Sequence, residues 1–200
     1  LLLLGALLDL DEKMDAGYRA LVWSVALLAF FGSFRIGELL SKTARSVDKS
    51  FDLLKRDITV TKKKVGGRER EMMLVSLKCP KEAKENDQAI TVEVFGAGGE
   101  ICPVRAYKEY MRLVGVKKGD SAAFRLPHSG DAYRHTRFNM DLKRILSPHI
   151  QYGSISGHSF RSGLSTLLAS TGFKEDEVKM LGRWTSDAFL KYLKKGRLIR

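Results

Sequence analysis

The stretch LGRWTSDAFLKYL, residues 181–193, decides how this chain is read. Taken alone it is a short amphipathic helix, with Phe189, Leu190, Tyr192 and Leu193 turned to a core and Tyr192 as one more aromatic filler. The helix is expected over residues 186–195; Gly182 parts it from a helical segment over residues 175–181, and Gly172 parts that segment from another over 159–170. The earliest of the three is introduced by GHSFRSG, residues 157–163, where His158 and Arg161 stand three apart and share one face of a helix starting there. An imidazole and a guanidinium aimed together make an anion site. The plainer reading is a capped helix start with an exposed arginine.

Charge points the same way. The 200 residues include 35 Lys and Arg against 23 Asp and Glu, a formal net charge of +12, so the natural partner is a polyanion. Nucleic acid leads, and an anionic membrane surface comes second. A hydrophobic content of 44% supports a folded core and argues against intrinsic disorder. The most apolar run, LVWSVALLAFFG over residues 21–32, is well short of the ~20 residues a bilayer requires and reads as a buried helix. The opening LLLLGALL has the apolar character of a secretion signal, but no basic residues precede it and Asp9, Asp11 and Glu12 follow. With Leu rather than Met at position 1, the expectation is an excised fragment. Cys79 and Cys102 make no disulfide framework, and His128, His135, His149 and His158 show no metal-ligand spacing, so neither a metal nor another cofactor is expected.

Periodicity divides the chain into helical, β and again helical parts. Residues 15–33 read as a helix buried on most of its surface. Gly32 and Ser33 end it and cap a second helix in FRIGELL, leaving Arg35 in that helix's first turn, where the dipole disfavours a cation. Three short antiparallel strands are expected in DITVTKK from Asp57, EMMLVSL from Glu71 and AITVEVF from Ala89. Gly66 and Gly67 suit a hairpin turn between the first two, and the lysine-rich KCPKEAKENDQ joins the last two. Pro103 begins a helix carrying Val104, Tyr107, Tyr110 and Met111, which Gly115 closes. Another, around residues 136–146, sets Phe138, Leu142 and Ile145 against a basic face of Arg137, Lys143 and Arg144. No repeat or long linker appears. The expected architecture is one α+β domain over residues 1–200, mostly helical, with a small three-stranded antiparallel sheet.

In their order along the chain, these features resemble the catalytic domain of the tyrosine recombinases, the phage integrase family. RIGELL offers the first arginine, Arg35; the connection between the second and third strands offers a lysine; His158 and Arg161 form the H-x-x-R pair. A His or Trp then follows a Leu-Gly pair, here Leu181-Gly182, and a Tyr follows about nine residues on; Tyr192 stands nine after Arg183. CPVRAYKEY, after the hairpin, also looks like a family segment. The resemblance runs from about residue 21 to 192. This chain departs from the pattern in having Arg183 after the glycine and Trp184 one place later. GRWTSDAF is similar to the branch found in eukaryotic mobile elements of the crypton and DIRS types. Either residue suits the role, Trp184 with an indole N–H and packing, Arg183 with a charged donor; Trp184 is favoured. For the lysine, Lys81 fits best, with Lys78 and Lys84 as rivals. The family's separate N-terminal DNA-clamping domain is expected to be missing from this fragment.

The resemblance implies a reaction. Attack on a DNA phosphodiester builds charge on the non-bridging oxygens, which Arg35 and Arg161 would clamp while His158 donates a hydrogen bond or takes the tyrosine proton. Tyr192 would form a 3′-phosphotyrosyl bond, and Lys81 would protonate the leaving 5′-oxygen. Lys62, Lys63, Lys64, Arg134, Arg137, Lys143 and Arg144 would track the phosphates of double-stranded DNA around the cut. Strand exchange in the family implies a homotetramer on DNA. A eukaryotic element would place the protein in the nucleus; otherwise it belongs in the cytoplasm or nucleoid. The main alternative is a DNA-binding protein descended from such an enzyme that no longer cuts. A relaxing enzyme like the type IB topoisomerases is a second.

Overall fold

The computed structural model describes residues 1–11, 14–78, 89–115, 119–150 and 155–197. Helix α2, Ala16–Phe31, is the central element, and Asp15 caps it by accepting the Tyr18 N–H at 3.0 Å. Leu21, Val22, Val25, Leu27 and Leu28 in it are fully buried, as a run apolar on every side requires. Around it pack α1 (Leu2–Leu10), α4 (Pro103–Val114) and α6 (His158–Ser170). Among the described residues, no helix is long and apolar enough to cross a membrane.

The three strands β1 (Ile58–Val65), β2 (Arg68–Leu77) and β3 (Ile90–Phe95) form an antiparallel sheet in the order β1-β2-β3. Register runs from Ile58 opposite Val75 to Val65 opposite Arg68 in one pair, and from Met72 opposite Phe95 to Leu77 opposite Ile90 in the other. Met73, Val75 and Leu77, spaced by two on β2, turn one face into the core together with Val94. Residues 62–70, the outer half of the β1–β2 hairpin, are exposed throughout, so the hairpin projects as a polar arm.

Further on, α5 (His135–Leu146) packs on α1, and α6, α7 (Glu175–Leu181) and α8 (Leu190–Arg197) form the C-terminal layer. Most core residues form one large cluster. Ala169, Val178, Phe189, Tyr192 and Leu193 form a second, small one.

Two expectations are corrected, and one element is found where none was assigned. Arg35 is the N-cap of α3 (Ile36–Leu39) and not a residue of its first turn, with extended φ −70° and ψ 137°. A cap keeps the cation at the helix mouth, where Glu38 three residues on accepts both its backbone N–H at 2.9 Å and its guanidinium at 3.3 Å. The last helix is preceded by a 3-10 turn over Asp187–Phe189, and Leu190 is exposed while Phe189, Tyr192 and Leu193 are buried. The apolar opening forms α1, whose Leu4 and Leu8, one turn apart, enter the large core.

Candidate functional site

Two glycines bring the site residues together. Gly157 precedes α6, and a Cβ there would collide with Ile36, the residue after Arg35. This contact brings the start of α6 against the start of α3 and so sets His158 near Arg35. The Gly157 N–H also donates to Asn139 Oδ1 at 2.7 Å. Gly182 ends α7, and a Cβ there would collide with Trp184 and lie 2.8 Å from Val178 O. The glycine of the Leu-Gly pair is thus a steric requirement of the turn that presents Trp184.

Tyr192 on α8 is nearly buried, and its Oη lies 2.7 Å from His158 Nε2. The His158 and Tyr192 rings are 6.0 Å apart, and Trp184 packs on both: edge-on to His158 at 6.2 Å and tilted on Tyr192 at 5.7 Å. Burial holds the His158 pKa below its ordinary value, and the cations Lys191, Arg161 and Arg35 lower it further. At neutral pH the imidazole is uncharged, so one ring nitrogen is an acceptor.

Arg161 is 1% exposed, which rules out the plainer reading of an exposed arginine at a helix start. Its guanidinium carbon lies 4.6 Å from the centre of the Trp184 ring, a cation–π distance, and its Nη2 donates to Arg183 O at 2.6 Å. Trp184 Nε1 donates to Ser165 Oγ at 3.0 Å. Arg183 points away from Tyr192: its Nη2 donates to Ser33 O at 3.0 Å and to Glu38 Oε2 at 2.9 Å. Of the two residues after Gly182, it is Trp184 that lines the tyrosine. Glu38 and Ser165 were not among the expected site residues. RIGEL carries a signal for Glu38, an acid three residues after a cation, whereas nothing marks Ser165.

Next to Arg35 lies an open cleft of about 610 Å³, whose lining includes Arg35, Lys42, Phe51, Lys78 and His135. Lys78 is not idle there. Its Nζ donates to Lys49 O at 3.0 Å and Asp52 O at 3.3 Å and pairs with Asp57 Oδ2 at 2.8 Å, which matches the three N–H groups of an ammonium. Lys81 and Lys84 lie outside the described residues.

The structure spreads the basic residues over several regions. Lys62 pairs with Glu69 at 3.2 Å and Lys63 with Glu93 at 2.7 Å on the hairpin arm, and Lys64 is exposed beside them. Arg134, exposed, caps α5 next to His135 in the cleft wall, while Lys143 is exposed near the far end of that helix. Arg137 donates to Tyr18 Oη at 3.1 Å and Asp141 Oδ1 at 3.2 Å, and Arg144 pairs with Asp11 at 3.0 Å. Tyr18 lies in the first turn of α2 and Arg35 beyond its last, so Arg137 sits at the opposite end of α2 from Arg35, along a helix about 24 Å long. Among the described residues, no group of three or more His, Cys, Asp or Glu could hold a metal ion.

No protein-family model and no curated protein matches this sequence. Solved structures do match it. The XerH site-specific recombinase bound to palindromic difH substrate, in a post-cleavage complex, shares 19% identity over 98% of this chain and 48% of that one, with a TM-score of 0.64. An Flpe–Holliday junction complex shares 14% identity over 92% of this chain and 42% of that one, at a TM-score of 0.58. The Tn1549 transposon integrase in complex with a circular intermediate DNA shares 12% identity over 95% and 58%, at 0.52. This chain spans about half the length of the solved structures it matches. The similarity, over nearly all the chain, gives it the tyrosine recombinase catalytic-domain fold: mixed helical, with a three-stranded antiparallel sheet.

Proposed function

We propose that this chain is the catalytic domain of a site-specific DNA recombinase that cuts and rejoins strands through a covalent 3′-phosphotyrosyl intermediate. The observation that carries this reading is the 2.7 Å hydrogen bond between Tyr192 Oη and His158 Nε2, beside Arg161 and Trp184. A phenol titrates near ~10, so at neutral pH it needs a base, and an uncharged imidazole at hydrogen-bond distance is one. The Tyr192 oxygen attacks phosphorus, its proton passes to His158 Nε2, and the bond from phosphorus to the 5′-oxygen breaks. The 5′-oxygen takes a proton from Lys81. Lys81 is preferred to Lys78 because the Lys78 ammonium would first have to leave Asp57 and two carbonyls. Arg35 and Arg161 hold the non-bridging oxygens. Attack by another strand's 5′-hydroxyl then reverses the step, with the bond energy kept in the phosphotyrosyl link.

Lys62, Lys63, Lys64, Arg134, Arg137, Lys143 and Arg144 are the proposed contacts to the backbone of double-stranded DNA. The solved complexes with a Holliday junction and with a transposon's circular intermediate support strand exchange and a mobile-element role; strand exchange between two duplexes would take a homotetramer on DNA. GRWTSDAF, with its likeness to crypton and DIRS recombinases, supports a eukaryotic element and hence the nucleus. A second reading, a DNA-binding protein that no longer cuts, draws on the burial of Arg161, whose guanidinium lies against the Trp184 ring.

Covalent trapping decides between them. Wild type and Tyr192→Phe are incubated with nicked suicide duplexes from candidate element ends and resolved under denaturing conditions. An adduct in wild type alone, mapped by mass spectrometry to Tyr192, is expected. Salt-sensitive DNA binding with no adduct in either protein favours the non-cutting reading.

A further inference from the structure

Among the described residues, the only non-glycine residues in the left-handed backbone region are Ser33 and Arg183, both at φ +50°. They lie in different turns, one after α2 and one after α7, and the two turns are bonded to each other. Ser33 Oγ donates to Gly182 O at 3.1 Å, and Arg183 Nη2 donates to Ser33 O at 3.0 Å. Such backbone persists where its surroundings hold it in place, and here each strained turn holds the other.

Arg183 extends from this joint in two directions. Its side chain donates to Glu38 Oε2 at 2.9 Å, and Glu38 in turn accepts the Arg35 N–H and guanidinium at 2.9 and 3.3 Å. Its main-chain carbonyl accepts Arg161 Nη2 at 2.6 Å. A guanidinium suits the place because it is planar: its edge carries the donors for Ser33 O and Glu38, while its carbon lies 4.7 Å from the centre of the Phe34 ring. An ammonium reaches the carboxylate but does not stack.

We infer that Arg183 is a positioning residue that sets the separation of Arg35 and Arg161 and ties the turn bearing Trp184 to the α2–α3 corner, without itself touching the phosphate. The inference rests on the recombinase reading of the site. It assigns the residue after the Leu-Gly pair to the frame of the pocket and leaves the place beside the tyrosine to Trp184.

The test compares wild type, Arg183→Ala, Arg183→Lys, Glu38→Gln and the Arg183→Ala/Glu38→Gln pair in the full chain. Three quantities are read: the single-turnover rate of adduct formation on saturating suicide duplex, the DNA dissociation constant, and the His158 midpoint by NMR. Arg183→Ala is expected to slow adduct formation about 10- to 100-fold, as small misplacements of catalytic groups do, with DNA affinity kept within about threefold. Arg183→Lys recovers part of the rate, and Glu38→Gln adds little to Arg183→Ala because both break one chain of contacts. Arg35, Arg161 and Lys191 are the cations acting on His158, and Tyr192 is its hydrogen-bond partner. Drift of the two arginines therefore raises its midpoint in Arg183→Ala. A lower melting temperature with an unchanged maximal rate, or additive losses in the pair, overturns the inference. If Arg183→Ala does not fold, Arg183→Lys and Glu38→Gln carry the same readouts. If wild type forms no adduct, the recombinase reading falls and the His158 midpoint alone decides: a rise supports the positioning role and an unchanged value overturns it.

Discussion

The large core and the small C-terminal cluster hold different parts of the candidate site. Phe34 and Ile36, on either side of Arg35, and Phe160, between His158 and Arg161, belong to the large core. Tyr192 belongs to the small cluster with Ala169, Val178, Phe189 and Leu193, and Trp184 packs against it. Helix α6 serves both, with Phe160 near its start and Ala169 near its end. Regions with few buried apolar contacts open at lower free energy than the core to which they are attached. The division therefore puts Arg35 and Arg161, the proposed phosphate clamp, on the rigid part and Tyr192, the proposed nucleophile, on the part that opens more readily.

Removing one atom from the small cluster tests this most sharply. Tyr192→Phe keeps the ring on Trp184 and loses only the oxygen, so adduct formation should disappear while melting temperature and DNA affinity stay near wild type. A persisting adduct would place the nucleophile elsewhere. Stability should separate the two clusters next. Leu28→Ala, in the large core, is expected to cost about 2–5 kcal/mol of global stability by denaturant unfolding. Leu193→Ala should instead speed hydrogen exchange of α8 amides with a smaller global loss. Equal global losses would mean a single cooperative core.

The pH response comes third. The His158 pKa is lowered by burial and by Lys191, Arg161 and Arg35, so the folded protein takes up this proton at lower pH than the unfolded chain, whose imidazole titrates near ~6.5. This group's contribution to stability is present above that value and is lost as pH falls toward the lowered one. Adduct formation should decline at the lower end of that window, as pH falls through the lowered value and the base is protonated. His158→Gln should react slowly and lack that acid limb; an unchanged limb would assign the base to another group. The smallest effect is expected on the arm, where Lys62→Ala breaks an exposed ion pair with Glu69. It should change stability by less than about 1 kcal/mol and lower the salt dependence of DNA binding by about one counterion if Lys62 meets a phosphate.

Much of the large core was legible because its signals are local. Three strands alternate, Gly66 and Gly67 mark the hairpin turn, and Pro103 and Gly115 bracket α4. The small region was legible in composition and order but not in geometry. His158, Arg161 and Tyr192 could be named from motif order, whereas the burial of Arg161 against Trp184 and the turn of Arg183 toward Ser33 and Glu38 depend on contacts between residues distant in sequence. Helix α1 was missed because its nine residues are apolar on nearly every side and carry no 3.6-residue pattern to mark a helix, although the acidic residues after it argue against a leader.

One more consequence belongs to the arm. β1 is an edge strand of the sheet, and its outer half carries Lys62, Lys63 and Lys64 in a row. An exposed edge invites another chain to add a strand, and lysines deter that by keeping their charges in water. The same three residues that are proposed to meet DNA would then also keep copies of this protein from stacking edge to edge. Replacing them with β-formers such as Val would therefore threaten solubility before it could reveal anything about DNA.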